Sequence, residues 1–266
     1  MDTHYITSRQ NPTVKALVQL RKSAQARREG LFIVEGGRLI GRALEASYAL
    51  RTLVSCPGLH GPEERALAET HPLPAAERYE VPPDLYDHLG YREAGRGLLA
   101  VMARRDHGLD TLPTPPGGGL YLVLEAPEKP GNIGAVCRSA DAAGATGLIV
   151  CDMHTDLYNP NALTASTGAL FSLPTAVCET PALLNCLAEH GVRLLAAVCE
   201  PGAVNYLEAD YRGAVALAIG PEHAGLGASL RQAAAARIYI PMRGRCDSLN
   251  ASTAAAILLF EASRFF

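Results

Sequence analysis

Short apolar runs alternate with amphipathic stretches along the chain, and this alternation predicts an α/β protein. In the first hundred residues we predict strands at 31–34, 51–55, 79–81 and 97–103, and helices at 12–29, 38–49, 63–69 and 84–89. Strands that alternate with helices in this way indicate a small α/β domain.

The second half of the chain begins with the continuous apolar run Leu120–Glu125. Such a run is typical of a strand that is buried on both faces of a parallel sheet. A helix predicted at 133–143 and a strand at Gly147–Cys151 complete a βαβ unit. Further strands are predicted at 175–178, 193–198, 214–219 and 238–240, and further helices at about 160–170, 181–190, 227–236 and 250–264. The pattern predicts a mostly parallel sheet covered by helices.

A linker separates the two halves. Three prolines and three glycines fall within residues 112–119, a composition that interrupts regular structure. We therefore predict a first domain at 1–110, a linker at 111–119 and a second domain at 120–266.

The last predicted helix is apolar on almost every side. It opens between Ser248 and Ser252, residue types that cap exposed N–H groups. A helix that is apolar all round is buried, either in its own core or against a second subunit. The strand-to-helix loop before it is a predicted ligand site, because open N–H groups there can hold a ligand.

Composition excludes several classes of protein. Apolar residues make up 48% of the chain, which is enough for a sizeable core. No apolar run approaches the roughly 18 residues that span a membrane, and no secretion signal is visible. Seven cysteines without CxxC pairs indicate reduced thiols in a cytoplasmic protein. Neither the cysteines nor the eight histidines cluster, so no metal site is expected.

Charge is distributed unevenly along the chain. Residues 1–42 carry eight basic and three acidic residues, although the whole chain has a net charge of −3. A basic head of this kind can bind a polyanion locally, and a solvated helix face is the alternative. The basic residues of the first predicted helix are Lys15, Arg21, Lys22, Arg27 and Arg28.

Three strand-to-helix loops of the second half combine glycines with polar residues. In the first, Asn132 precedes a predicted helix, and Gly134 and Arg138 share one face of it. An arginine there can meet a phosphate or a developing oxyanion, and an N-capping Asn with a surface Arg is the alternative. The second loop contains Gly220, Glu222 and Gly225, and the third contains Gly244, Ser248, Asn250 and Ser252.

Several familiar catalytic motifs are missing from the sequence. It contains no GxxxxGK[ST] phosphate loop, no GxGxxG dinucleotide motif and no GxSxG nucleophile elbow. Cys137, Cys151 and Cys246 lie beside no evident base, so we interpret them as core or incidental thiols, and His223 as a surface residue.

Taken in order, the three loops resemble the three motifs of the SpoU (TrmH-type) family of RNA 2′-O-ribose methyltransferases in the SPOUT superfamily. Asn132 and Arg138 match the first motif, and Gly220 with Glu222 and Gly225 matches the second. The third runs from Ile240-Pro-Met to Ser248-Leu-Asn-Ala-Ser, with Ala251 where Val is usual. Residues 166–174 also resemble the segment that follows the first motif.

The first domain is similar to the L30e-like substrate-binding domain of family members that act on large-subunit ribosomal RNA. The resemblance is carried by residues 6–15, 32–36 and 97–101. The basic helix would then contact RNA phosphates.

The resemblance implies a Rossmann-like sheet with a C-terminal trefoil knot, S-adenosylmethionine as cofactor, and a homodimer. It implies catalytic roles for Arg138, Asn132, Glu222, Ser248 and Asn250. Asn132 would orient Arg138 or the ribose, and Glu222 and Asn250 would hold the motif loops and the facing subunit's Arg138. The implied cofactor contacts are Leu195, Ala196, Ala197, Ile219, Gly220, Gly225, Ile240, Met242, Leu249 and Ser252.

Two alternative catalytic roles are considered for Arg138. The resemblance implies that Arg138 assists removal of the 2′-hydroxyl proton. A guanidinium has a pKa above about 12 and is a reluctant base. We therefore favour a role in which Arg138 grips the adjoining phosphate and stabilises the alkoxide.

The leading hypothesis is a methyltransferase for 23S ribosomal RNA. The alternatives are a transfer RNA methyltransferase, and a non-catalytic RNA-binding or ribosome-assembly factor on the same fold. The modified nucleotide, and a housekeeping or antibiotic-resistance role, are left open at this point.

Overall fold

The chain folds into two compact units. The structure is a computed structural model that describes residues 3–70, 77–91, 96–200 and 202–266. One unit comprises Met1–Arg105 with Tyr158–Ser172, and the other comprises Asp106–Leu157 with Leu173–Phe266. The predicted boundaries at 110 and 119 stay predictions. No described helix is both long enough and apolar enough to span a membrane.

The first unit contains a mixed sheet of five described strands. They are β1 (Thr3–Tyr5), β2 (Leu31–Glu35), β3 (Leu50–Ser55), β4 (Glu77–Glu80) and β5 (Leu98–Ala103), in the order β1-β4-β3-β5-β2. β1, β4 and β3 are parallel, whereas β5 runs antiparallel to β3 and β2. The helices up to this point are α1 (Pro12–Leu20), α2 (Ser23–Glu29), α3 (Gly37–Glu45), α4 (Pro62–Thr70) and α5 (Pro83–Leu89). The prediction of a small α/β domain is confirmed.

The single helix predicted at 12–29 is wrong, because the chain breaks between α1 and α2. Lys22 is extended, with φ −76° and ψ 121°. The Arg21 guanidinium donates hydrogen bonds to the carbonyls of His88 and Gly90, at 3.3 and 3.1 Å, at the end of α5. Arg21 therefore attaches the segment between α1 and α2 to the end of α5.

The second unit contains a sheet of seven described strands, all parallel. The strands are β6 (Leu120–Glu125), β7 (Gly147–Cys151), β8 (Thr175–Cys178), β9 (Arg193–Ala197), β10 (Val204–Asn205), β11 (Val215–Ile219) and β12 (Ala236–Tyr239), in the order β10-β12-β9-β11-β6-β7-β8. The predicted Rossmann-like sheet is confirmed. The short β10, and β1 in the first unit, were not predicted, because two or three residues are too few to show a period.

Helix α6 (Pro130–Ala142) begins three residues earlier than predicted. Pro130 occupies its first position, where a fixed φ and a missing N–H are tolerated. Asn132 therefore lies in the first turn instead of before the helix, and it is not the N-cap. Arg138 lies in the third turn instead of the second.

A segment of the second half of the sequence packs with the first unit. The helix predicted at about 160–170 is two helices, α7 (Pro160–Ser166) and α8 (Ala169–Ser172), because Thr167 and Gly168 have φ +51° and +98°. Arg42 donates a hydrogen bond of 2.7 Å to the carbonyl of Thr167 at this break. The ring of Phe32 in β2 packs on Tyr158, with a centroid distance of 4.1 Å.

Three further helices complete the second unit as described. They are α9 (Thr180–Glu189), α10 (Ala228–Ala233) and α11 (Ala251–Ala262). The predicted terminal helix is confirmed as α11, which packs against α6, β6 and β11. Its inner face buries Ala251, Ala255, Leu258, Leu259 and Ala262.

Candidate active site

The three loops singled out in the sequence meet at one edge of the parallel sheet. β6, β11 and β12 all end there, because parallel strands direct their carboxyl ends to the same side. The loops are residues 126–129, 220–227 and 240–250. This edge is where open α/β sheets bind their ligands.

A buried carboxylate joins the first two loops. Glu125, the last residue of β6, is only 8% exposed. One of its oxygens accepts a hydrogen bond of 2.7 Å from the N–H of Gly227. A side chain at position 227 would place its Cβ 2.6 Å from the other oxygen, so the approach requires glycine. Glu125 was not predicted as a site residue. The signal available in the sequence was a carboxylate at the end of a fully apolar strand.

Glycines also shape the loop after β11. A Cβ on Gly220 would overlap the backbone of Gly225 and Leu226. Gly225 has φ +65°, and its N–H donates to the carbonyl of Pro221 at 3.0 Å. The loop therefore folds back onto its own start, and Gly220 and Gly225 both line the adjoining cavity.

Glu222 is the hydrogen-bond centre of the three loops. Its Oε2 accepts from Lys129 Nζ at 3.0 Å, and its Oε1 accepts from Asn132 Nδ2 at 3.0 Å. The same Oε1 also accepts from Asn250 Nδ2. One side chain thereby connects the loop after β6, the loop after β11 and the start of α11.

These donors change the acidity of Glu222. The Lys129 ammonium, followed by the Asn132 amide, lowers the pKa of the Glu222 carboxyl from its ordinary value. The carboxylate is therefore the form that the three loops are built around. Lys129 was missed in the sequence, because nothing in its neighbourhood indicates a partner 93 residues away.

Asn250 uses both ends of its amide. Its Oδ1 accepts from Ser252 N at 2.9 Å and from Ser252 Oγ at 2.6 Å, and so caps α11. Its Nδ2 donates to Glu222. Aspartate would keep the cap but lose this donor, so the position requires the amide.

A cavity of about 490 Å³ lies beside these loops. Its apolar wall comes from Ile219, Leu226, Ile238, Ile240, Leu249 and Leu258, and its charged groups are Glu200, Glu222, Arg231 and Asp247. Glu200 forms an ion pair with Arg231 of this set at 3.1 Å, and a second ion pair with Arg237 at 3.4 Å. The volume lies within the range of about 300–1,000 Å³ of small-molecule and cofactor pockets.

Most of the predicted cofactor contacts line this cavity, and three do not. Those that line it are Ala197, Ile219, Gly220, Gly225, Ile240, Met242 and Leu249. Leu195 and Ala196 are buried within β9. Ser252 lies in the first turn of α11, where it holds Asn250. His223 is exposed and lines the cavity, as does Ser248.

Arg138 lies apart from this cluster. It is exposed on α6 and is absent from the residues that line the cavity. Within the described parts of the chain it makes no hydrogen bond or ion pair. Asn132 donates to Glu222, and no described contact joins it to Arg138. The expectation that Asn132 orients Arg138 or the ribose therefore stays a prediction.

The predicted RNA-binding residues of the first unit separate into two kinds. Lys15, Lys22, Arg27 and Arg28 are exposed. Arg21 is half-buried and bonded to α5. Only the exposed four are available to a polyanion without breaking the fold.

The cysteines behave largely as interpreted. Cys137 and Cys151 are buried, and burial raises the pKa of both thiols, to about 12 for Cys151. Cys246 is exposed in the loop before α11. Buried thiols with raised pKa values are unreactive.

A parallel sheet whose carboxyl-end loops enclose a pocket is the architecture of an α/β enzyme that binds a cofactor. Residues 119–260 match the SpoU rRNA methylase family, and residues 11–100 match the MRM3-like substrate binding domain. The chain belongs to the SpoU rRNA methylase family. The family resemblance and the substrate-binding domain predicted from the motifs are confirmed.

Two relatives and one solved structure illustrate the match. The chain is 36% identical over 248 residues to the 23S rRNA (uridine(2479)-2′-O)-methyltransferase of Streptomyces viridochromogenes. The matched stretch covers 89% of this chain and 84% of that one. The chain is 27% identical to the 23S rRNA (guanosine(2553)-2′-O)-methyltransferase RlmP of Bacillus subtilis, over 96% and 98% of the two chains. The AdoMet-bound rRNA methyltransferase of Sinorhizobium meliloti superposes with a TM-score of 0.88, at 30% identity over 98% of both chains.

Proposed function

We propose that this protein transfers a methyl group from S-adenosylmethionine to a ribose 2′-oxygen of 23S ribosomal RNA. The observation that carries the proposal is the convergence of the three motif loops on Glu222, beside a cavity at the carboxyl end of the sheet. Two relatives named for 2′-O-methylation of 23S rRNA support the reaction and the substrate class.

The cavity fits the proposed cofactor in size and chemistry. When bound, S-adenosylmethionine supplies a methyl group activated on a positively charged sulfur. The apolar wall at Ile219 and Leu249 suits an adenine ring, and Gly220 lines the same cavity. The carboxylates of Glu200, Glu222 and Asp247 suit a ligand with cationic groups, although Glu200 and Glu222 are already paired.

In this proposal Arg138 acts on the RNA. An exposed guanidinium with no described partner is free to bind the phosphate beside the reacting ribose. The same charge would stabilise negative charge that develops on the 2′-oxygen. Because a guanidinium is a reluctant base, Arg138 serves as a positive charge and not as the proton acceptor.

A homodimer is part of the proposal, because Arg138 does not line the cavity of its own chain. The outer face of α11 carries Phe260, which is 53% exposed, and the half-buried Ile257. We take this exposed apolar surface of α11 as the proposed interface. α11 packs on α6. In the proposed dimer, a second copy packs against α11 so that Arg138 of one chain reaches the cavity of the other. Phe260→Glu should convert a dimer into a monomer in sedimentation velocity.

The proposal keeps three further expectations from the sequence. The exposed basic residues of α1 and α2 contact RNA phosphates, the tail of the chain forms the trefoil knot that the family resemblance implies, and the protein is cytoplasmic. An experimental structure of the dimer with S-adenosylmethionine tests the knot and the position of Arg138 together.

The decisive experiment maps ribose methylation in 23S rRNA from cells with and without this protein. We expect one 2′-O-methylated nucleotide to disappear with the gene and to return with the purified protein and S-adenosylmethionine. An unchanged map, together with no S-adenosylmethionine binding in calorimetry, would favour a non-catalytic RNA-binding factor. A change confined to transfer RNA would favour the other alternative.

A further inference from the structure

The first unit encloses a second cavity, of about 470 Å³, that the proposed reaction does not use. It lies at the N-terminus of α3, and its volume is within the range of about 300–1,000 Å³ of small-molecule pockets. Its wall includes Gly36, Arg38, Glu64, Tyr91, Arg96 and Thr164. The cavity thus combines cations, a carboxylate, an aromatic ring and a hydroxyl.

Glu64 is the unusual group in this wall. Its side chain is buried, with only 2% of the residue exposed. Oε1 accepts a hydrogen bond of 2.8 Å from the N–H of Gly37. Oε2 is buried and has no hydrogen-bond partner among the described residues. A buried carboxylate oxygen without a donor is costly, so a donor brought by a ligand would stabilise it.

Two further features of the cavity wall concern the packing around Oε2 and the charged side chains of the wall. A Cβ on Gly61 would lie 2.9 Å from Oε2 and 3.4 Å from the Arg96 guanidinium, so a larger residue there would crowd both groups. Arg38 pairs with Glu63 at 3.7 Å, and both side chains are more than half exposed. An exposed pair of this kind is weak and exchanges readily for a phosphate.

We propose that this cavity holds one unpaired guanine nucleotide of the RNA substrate, with the base edge on Glu64 and the phosphate near Arg38 and Arg96. The inference rests on the proposed function, because it takes RNA as the ligand. Tyr91 supplies an aromatic ring of the kind on which unpaired RNA bases stack.

The chemistry of the carboxylate selects guanine among the four bases. Guanine presents two adjacent donors, N1–H and the N2 amino group, and an ionised carboxylate only accepts. Adenine and cytosine place an acceptor nitrogen beside their amino group. Uracil has one N–H between two carbonyl oxygens, which would face the carboxylate.

The test uses guanosine, inosine and uridine 5′-monophosphates as probes, titrated into the full-length protein by calorimetry. We expect guanosine monophosphate to bind most tightly, inosine monophosphate more weakly because it lacks the N2 amino group, and uridine monophosphate most weakly. Glu64→Gln should lower the affinity for guanosine monophosphate by about tenfold or more. In this variant the Gln oxygen keeps the hydrogen bond from the N–H of Gly37. The side-chain NH₂ group, which is a donor, then takes the place of the accepting Oε2. Uridine monophosphate binding should not fall.

Two further variants separate recognition from folding. Gly61→Ala keeps the carboxylate but fills the space beside Oε2, so it should also abolish the preference for guanine. Glu45→Gln, at the exposed end of α3 and outside the cavity wall, should leave the affinities of all three nucleotides unchanged. Thermal unfolding of each variant verifies that it is folded.

Equal binding of the three nucleotides by the wild-type protein, or unchanged guanosine monophosphate affinity in folded Glu64→Gln, would overturn the guanine site. Neither outcome touches the proposed reaction, which is measured separately as methylation of 23S rRNA by the wild-type protein. Conversely, a failure to detect methylation of 23S rRNA would overturn the proposed reaction without changing the measured affinities for the three nucleotides.

Discussion

Glu222 and Glu64 are carboxylates near cavities in different units, and they differ in how their oxygens are used. Both oxygens of Glu222 accept hydrogen bonds, from donors on two other segments of the chain. One oxygen of Glu64 is held by Gly37, and the other has no partner among the described residues. The difference separates a carboxylate that holds loops together from one that is available to a ligand.

The same distinction applies to the basic residues. Arg21 is bonded to the end of α5, whereas Arg138 and the cations of α2 are exposed. Partnered groups are expected to control stability, and groups without partners to control binding and catalysis. The following predictions test this division, from the largest expected effect to the smallest.

Arg138→Ala should lower the rate of methylation by about 10²- to 10³-fold, because it removes a charge that stabilises the developing oxyanion. Affinity for S-adenosylmethionine and thermal stability should stay the same, since Arg138 neither lines the cavity nor makes a described contact. Single-turnover kinetics and calorimetry measure the two quantities. Arg264→Ala, which removes an exposed cation paired with Glu261, is the matched control. Normal turnover by Arg138→Ala would end its catalytic assignment.

Neutralising Lys22, Arg27 and Arg28 together should flatten the salt dependence of RNA binding. Each lost phosphate contact reduces the slope of log affinity against log salt by roughly 0.7 for single-stranded RNA, so the change is about 2. Fluorescence anisotropy at several salt concentrations measures it. Arg21→Gln should instead lower stability, because it removes the bonds to His88 and Gly90. An unchanged slope in the triple variant would place the RNA elsewhere.

Asn250→Ala should destabilise the protein by about 1 kcal/mol, since it removes the cap of α11. Asn250→Ser keeps a capping oxygen but not the donor to Glu222, so it should lose less. Urea unfolding measures both. Weaker S-adenosylmethionine binding should accompany the Ala variant, because the cap fixes the loop that contributes Leu249 to the cavity. If both variants match the wild type in stability and affinity, Asn250 has no organising role.

Glu222 should add a small acid-dependent contribution to stability. Its pKa is lower in the folded chain, so the stabilisation is fully present above the ordinary pKa of a Glu and is lost as the pH falls through the folded value. Urea unfolding of wild-type protein and Glu222→Gln between about pH 6 and pH 3 tests this. The difference between the two proteins should shrink toward the acid end. A constant difference would mean that ionisation of Glu222 is irrelevant.

The sequence predicted the central strands of the second unit well. β6, β7 and β8 were located to the residue, because a continuous apolar run bounded by turn residues has few other interpretations. Helix ends were predicted less well. Pro130 begins α6 earlier than the apolar pattern indicates, and Arg21 ends α1 through contacts with α5, 67 and 69 residues away in the sequence.

The candidate site was predictable only in part. Glycines and polar residues at strand ends marked Asn132, Glu222 and Asn250, since the topology of parallel strands brings these ends together. The partners Lys129 and Glu125 were missed, because side-chain contacts across 93 and 102 residues leave no local pattern. Glu64 was missed for a related reason. Its burial, and the lack of a donor for Oε2, exist only once α3 and α4 have packed.

The two-part composition of the first unit constrains how this protein can be cut or recombined. A fragment that ends at residue 110 lacks Tyr158 and Phe171, and so leaves the ring faces of Phe32 and Tyr48 in water. Such a fragment is expected to aggregate, and a chimera that exchanges only the amino-terminal portion with a relative would join mismatched surfaces. A working exchange has to carry residues 158–172 along with it.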